Sequence, residues 1–151
     1  MLFRSQPELA DVEAAAETTP APPTGRVLCI PSSDQADEVT AAMLALLLEH
    51  SGCIVLPFTP DPGLQQVAFV QPAADDVFCI SALPPFAFAH ARTLSHQLRV
   101  RFPGVRIVVG VWGFAGETER AMERFQAPRP DKLVTSLADA IQAVLNPAAT
   151  G

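Results

Sequence analysis

Asp34 is the side chain best suited to chemistry, and it stands in a polar run, Ser32-Ser33-Asp34-Gln35, between the apolar stretches Val27 to Ile30 and Ala41 to Leu48. A carboxylate in that place serves as a general base, as an oxygen ligand for a metal, or as a helix N-cap that satisfies orphan N–H groups. Its neighbours form hydrogen bonds but supply no nucleophile–base pair, so capping is the first expectation and acid–base catalysis the last. Ser81 and Leu83 close a second apolar run, Asp76 to Ser81. Gly110, Trp112 and Gly113 follow a third, Arg106 to Val111. Trp112, the only tryptophan, is flanked by glycines, which suits either a ligand platform or simple packing.

The remaining chemistry-bearing residues point elsewhere. His90 and His96 are six apart on one helical pattern, on different sides rather than at the i, i+4 spacing of a metal pair. Cys29, Cys53 and Cys79 each lie in an apolar strand pattern, without a Cys-x-x-Cys pair, and read as small buried hydrophobes. Arg92, Arg99 and Arg101 form a basic face on the third helix, suited to solvent or to a partner. Expected catalytic and metal-ligating residues are therefore none.

Elements that position these residues alternate between strand and helix periods. Val27–Ile30 is a short apolar run, as in a strand covered on both faces. Ser32, Ser33 and Asp34 are N-cap types, and Ser32 has Gln35 in capping-box register. The helix that follows presents Val39, Met43, Leu46 and Leu47 on one face, predicted to be its buried one, and stops before Gly52. Cys53 to Leu56 is a second strand, and prolines shorten the next helix to about 64–70. Asp76 to Ser81 is the third strand, Ala87, Ala91, Leu94 and Leu98 mark a third helix, and Arg106 to Val111 is the fourth strand. Glu117, Glu119 and Glu123 open a fourth helix, where the macrodipole favours acids. Lys132 to Val134 is the fifth strand, and Ser136 caps a last helix through Ile141, Val144 and Leu145. This alternation predicts an α/β protein: a flavodoxin-like three-layer α/β/α sandwich with a five-stranded parallel sheet in the order 2-1-3-4-5. In that order the loops after strands one and three flank the topological switch point, where open α/β sheets bind ligands.

Composition narrows the classes. The chain has 151 residues, 49% of them hydrophobic, which suffices for one core. A net charge of −6 excludes a surface that tracks phosphate backbones, so no nucleic-acid partner is expected. The longest apolar run, Ala41 to Leu48, is far short of the roughly 20 residues of a membrane span. Residues 1–24, with Pro20, Pro22 and Pro23, read as a disordered tether, residues 25–147 as the α/β domain, and residues 148–151 as a flexible tail. The tether suggests attachment to something upstream, and the domain itself reads as cytoplasmic.

Motif by motif, several α/β chemistries fail. A phospho-acceptor domain needs an Asp ending strand three, where Ser81 stands, although Asp34 and Asp37 offer acids after strand one. A flavodoxin phosphate loop is only partly matched by Pro-Ser-Ser-Asp-Gln, and no Gly-x-Gly-x-x-Gly follows strand one. The landmark order instead resembles the cobalamin-binding domain family of methionine synthase and the mutases, over roughly Arg26 to Leu145. That family has Asp-x-His-x-x-Gly after strand one and Ser-x-Leu ending strand three. Here these become Asp34-Gln35-Ala36-Asp37-Glu38-Val39 and Ser81-Ala82-Leu83, with Gly110-Val111-Trp112-Gly113 at the later Gly-rich turn. The resemblance implies a cofactor-binding set of Ser32, Ser33, Asp34, Gln35, Ser81, Leu83, Gly110, Trp112 and Gly113. It also implies that histidine ligation of cobalt is lost at Ala36, and that Val39 plugs a nucleotide-tail channel between the first helix and the third strand. Cobalamin is thus the implied cofactor in a degenerate form. The phrasing Val-Leu-Cys-Ile-Pro-Ser-Ser-Asp-Gln with Cys-Ile-Ser-Ala-Leu-Pro-Pro-Phe also resembles the soluble tail of bacterial permeases of the autoinducer-2 exporter type. That implies a non-enzymatic, small-ligand-binding or regulatory domain, tethered to the inner membrane as part of a larger transporter-like protein. The alternative is a protein–protein interaction module, self-associating or bound to an upstream membrane domain, with no small-molecule ligand.

Overall fold

In the computed structural model, residues 25–61, 63–125 and 127–146 are described; the tether and tail expected at 1–24 and 148–151 lie outside them. Five strands, β1 (Arg26–Pro31), β2 (Ile54–Pro57), β3 (Val77–Ala82), β4 (Arg106–Val111) and β5 (Lys132–Val134), form one sheet in the order β2-β1-β3-β4-β5. Every pairing is parallel. The helices are α1 (Gln35–His50), α2 (Gln65–Phe69), α3 (Ala87–Arg101), α4 (Thr118–Met122) and α5 (Leu137–Leu145). This is the flavodoxin-like architecture that the alternating periods predict.

The two-residue period of the strands divides the core into two layers. Leu28, Ile30, Phe78, Ile80, Ile107 and Val109 pack with Ala87, Ala91, Leu94 and Leu98 of α3. Val27, Cys29, Cys79 and Val108 pack with Ala41, Leu44, Ala45 and Leu48 of α1 and Ala140, Ala143 and Val144 of α5. All three cysteines are free and buried. Burial pushes the Cys29 and Cys53 thiols up, and raises that of Cys79 to about 12, because an apolar layer disfavours thiolate. They pack as hydrophobes.

Three local expectations are corrected. The capping box at the start of α1 is formed by Asp34 and Asp37, not by Ser32 and Gln35: Asp34 Oδ1 accepts from the Asp37 N–H at 3.0 Å while Asp37 reaches back to the Asp34 N–H. More consequentially, α1 is rotated relative to the predicted face. Ala41, Leu44, Ala45 and Leu48 face the sheet, while Val39, Met43, Leu46 and Leu47 are 58%, 48%, 66% and 41% exposed. The helix is apolar nearly all round, so two stripes satisfy the 3.6-residue period equally. Asp37 breaks the tie, because it is buried and held by β3's loop. In α4, only five residues long, Glu123 falls at the C-terminal cap rather than early in the helix.

At the amino edge Arg26 and Asp76 form an ion pair. Asp76 accepts from the Arg26 backbone N–H at 2.8 Å, from the guanidinium Nη2 at 2.7 Å and from the Ala73 N–H at 2.8 Å. Burial alone would raise the Asp76 pKa, but the hydrogen bonds from Arg26 and Ala73 and the guanidinium charge hold it below the usual carboxylate range.

Candidate functional site

At the carboxyl edge the loops after β1 and β3 meet over Asp37, which is 3% exposed. One of its oxygens accepts from the Leu83 N–H at 2.8 Å, and the other from the Ser32 hydroxyl at 2.8 Å and the Asp34 N–H at 3.4 Å. The Ser32 N–H donates to the Ser81 carbonyl at 2.9 Å, closing the same junction. Asp37 sits in the first turn of α1, where the positive end of the helix dipole favours its charge. Both oxygens are engaged in fastening the switch point, and none of the donors is a substrate-facing base. Asp34 is exposed, with its side chain committed to the cap. A carboxylate three residues into a capping register was visible in the sequence; its tie to Leu83, 46 residues away, was not.

The structure brings Ser32, Ser81 and Leu83 together through this network and leaves Ser33, Asp34 and Gln35 on the exposed rim. Gly110, Trp112 and Gly113 lie one strand over. Trp112 is 8% exposed and belongs to the α1/α5 layer. Its indole lies flush on Gly110, where an added Cβ would come within 2.1 Å of a ring carbon, so only glycine fits there. The Trp112 N–H donates to the Ala82 carbonyl at 3.1 Å, and the Gly113 N–H to the Thr135 carbonyl at 3.0 Å. Two polar atoms near this junction, Ser81 Oγ and Trp112 Nε1, are buried without a hydrogen-bond partner. Packing, not a ligand platform, describes Trp112.

These residues do not fit a corrinoid. Ala36, in place of the expected cobalt-ligating His, is an exposed methyl on the outer side of α1. Val39 is on the outer face as well and plugs no channel. Trp112 packs in the same core layer as the buried residues of α1, with Leu83 partly buried against that layer.

Beside the edge, on the α2/α3 side of the sheet, a cleft of about 300 Å³ is lined by Ser32, Ser33, Asp61, His90, Thr93 and Gln97. Asp61 accepts from the Gln66 N–H at 2.6 Å at the start of α2, and Thr93 donates to the Ala89 carbonyl at 3.1 Å. His90, Ser33 and Gln97 remain exposed toward the cleft. His90 and His96 are both at the surface of α3, and among the described residues no group of three or more His, Cys, Asp or Glu side chains is arranged to hold a metal ion.

The basic face of α3 is used internally. Arg99 bonds Asp131 at 2.7 Å and the carbonyls of Val105 and Arg129, and Asp131 in turn accepts from the Ile107 N–H at 2.8 Å. Arg92 donates to the Arg124 carbonyl and Arg101 to that of Gly63. The three guanidinium groups strap α3 to its neighbouring loops. Among the described residues no helix is long and apolar enough to cross a membrane. No protein-family profile matches the chain, and no curated protein matches it.

Proposed function

We propose that this chain is a non-enzymatic regulatory domain of degenerate cobalamin-binding type, the cytoplasmic part of a larger transporter-like protein, which acts by binding rather than by chemistry. The observation that carries the reading is the fate of the carboxyl edge. Asp37 is consumed by the junction of two loops and Asp34 by the cap of α1, while Trp112 packs in the core layer of α1 and α5. The two carboxylates nearest the switch point are thus committed to the fold rather than aimed at a ligand. The membrane-protein context rests on the resemblance of the β1 and β3 segments to the soluble tail of exporter-type permeases. Gel filtration with hydroxocobalamin tests the ligand side. Cobalamin is expected to elute separately from the protein at about 100 µM, a concentration that captures any affinity better than about −5 kcal/mol. Stoichiometric co-elution would show an open corrinoid site and sink the reading.

A second reading, binding of a small polar molecule, is favoured by the cleft that exposes Ser33, His90 and Gln97 beside the switch point. Its volume is at the lower bound for ligand pockets. A thermal-shift screen of small polar metabolites tests it. A stabilising compound whose effect disappears in His90→Ala would support it, and no hit among anions, amides and sugars would count against it.

A further inference from the structure

The outer face of α1 carries an organised apolar seam. Ala36, Val39, Met43, Leu46 and His50 recur at alternating steps of three and four, all of them exposed, with Leu47 widening the stripe at one end. That spacing is the a/d pattern by which one helix packs along another, and it runs the length of a 16-residue helix, about 24 Å. The four large side chains present on the order of 400 Å² of apolar surface, a size at which patches on monomers mark interaction sites.

We propose that this seam is a self-association surface, on which α1 of a second copy packs antiparallel about a two-fold axis through Met43. The helix is its own complement in that register. Met43 meets Met43, Val39 meets Leu46 of the second copy, and Ala36 faces His50, so small side chains oppose large ones. The flanking positions pair Gln35 with Glu49, Thr40 with Leu47 and Ala42 with Ala42, which places no like charges opposite each other. The first turn, with Asp37 and Glu38, comes beside the last turn, with Glu49 and His50, and the helix dipoles oppose. A parallel pairing would set the two acidic turns side by side. Residues 1–24 offer a poorer occupant: their one candidate helical stretch has only Leu9 and Val12 as large apolar residues, interspersed with Glu8, Asp11 and Glu13. About 400 Å² per copy is at the small end of specific interfaces, so the dimer is weak, with a dissociation constant on the order of 10–100 µM.

Sedimentation equilibrium of the full chain, from about 5 to about 500 µM so as to bracket that range, tests the proposal separately from cobalamin retention. The mass is expected to rise from monomer to dimer. Met43→Glu, which sets two carboxylates on the axis, is expected to weaken association at least tenfold with an unchanged circular dichroism spectrum. Phe69→Glu, at a site 87% exposed on α2, is expected to leave association unchanged. Register is read by cross-linking under a mild oxidant, with a low background because Cys29, Cys53 and Cys79 are buried. Met43→Cys should link to itself. Val39→Cys and Leu46→Cys should each fail alone and link when mixed. A monomer at every concentration, association indifferent to Met43→Glu, or self-linking of Val39→Cys would each overturn the proposal.

Discussion

Asp37 and Asp76 are equally buried, at 3% and 2% exposure, and each fastens two segments far apart in sequence, yet they are neutralised differently. Asp76, at the amino edge, has a guanidinium beside it and two backbone N–H groups. Asp37, at the carboxyl edge, has no salt bridge; a hydroxyl, two backbone N–H groups and the end of a helix do the work. An ion pair makes a staple whose strength depends on both partners. Dipoles make a junction without a counter-ion, at the place where this fold class binds ligands. The amino edge is therefore purely architectural. The carboxyl edge has the architecture of a site, with Asp37 turned inward and Ser33, Asp34 and Gln35 left on its rim.

The largest expected effect tests the staple. Asp76→Ala leaves the Arg26 charge and the Ala73 N–H without their acceptor, and should destabilise the domain by about 3 kcal/mol, the low end for a broken buried pair because the Arg26 side chain is 30% exposed. Urea unfolding measures it, and a loss below about 1 kcal/mol would show the pair to be ornamental. At the other edge, Asp37→Asn keeps the shape but turns an acceptor into a donor opposite the Ser32 hydroxyl and the Asp34 N–H. A loss of about 2 kcal/mol is expected, with faster amide exchange at Leu83. Unchanged exchange at Leu83 would mean that Asp37 does not hold the two loops together. Asp34→Ala removes only the reciprocal half of the cap, and should cost about 1 kcal/mol with the same loop geometry.

Acid titration separates the edges by the smallest effect. The folded-state pKa of Asp76 is depressed, so its contribution is fully present above the ordinary carboxylate pKa near 4 and is lost as pH falls through the lower folded value. The stability difference between the wild-type domain and Asp76→Asn should shrink as pH drops from about 5 to about 3. A difference constant over that range would mean that the folded-state pKa of Asp76 is not depressed.

Where one period and one face were available, the sequence was readable. Ala87, Ala91, Leu94 and Leu98 form the one stripe on α3 that is apolar at every step, the other apolar residues Phe88, Ala89 and Val100 falling in stripes broken by polar ones, and they are buried against the sheet. The β-branched run of β4 and the Ser136 cap of α5, which accepts from the Asp139 N–H, lie where the pattern puts them. In α1 the pattern contained two answers. Val39, Met43, Leu46 and Leu47 fit a buried stripe as well as Ala41, Leu44, Ala45 and Leu48 do, and hydrophobicity favoured the larger, outward set.

The sequence alone determined the alternation of strands and helices, because periodicity and local caps are properties of neighbouring residues, and the right-handed crossover rule narrowed the sheet order without fixing it. Only the tertiary structure decided which face of α1 is buried and whether Trp112 meets a ligand or the core. The first depends on a hydrogen bond from Leu83 to Asp37 across 46 residues, and the second on Gly110 leaving room on β4 for an indole that α1 and α5 then cover. Both are contacts between segments that the fold brings together, and no window of the chain contains them.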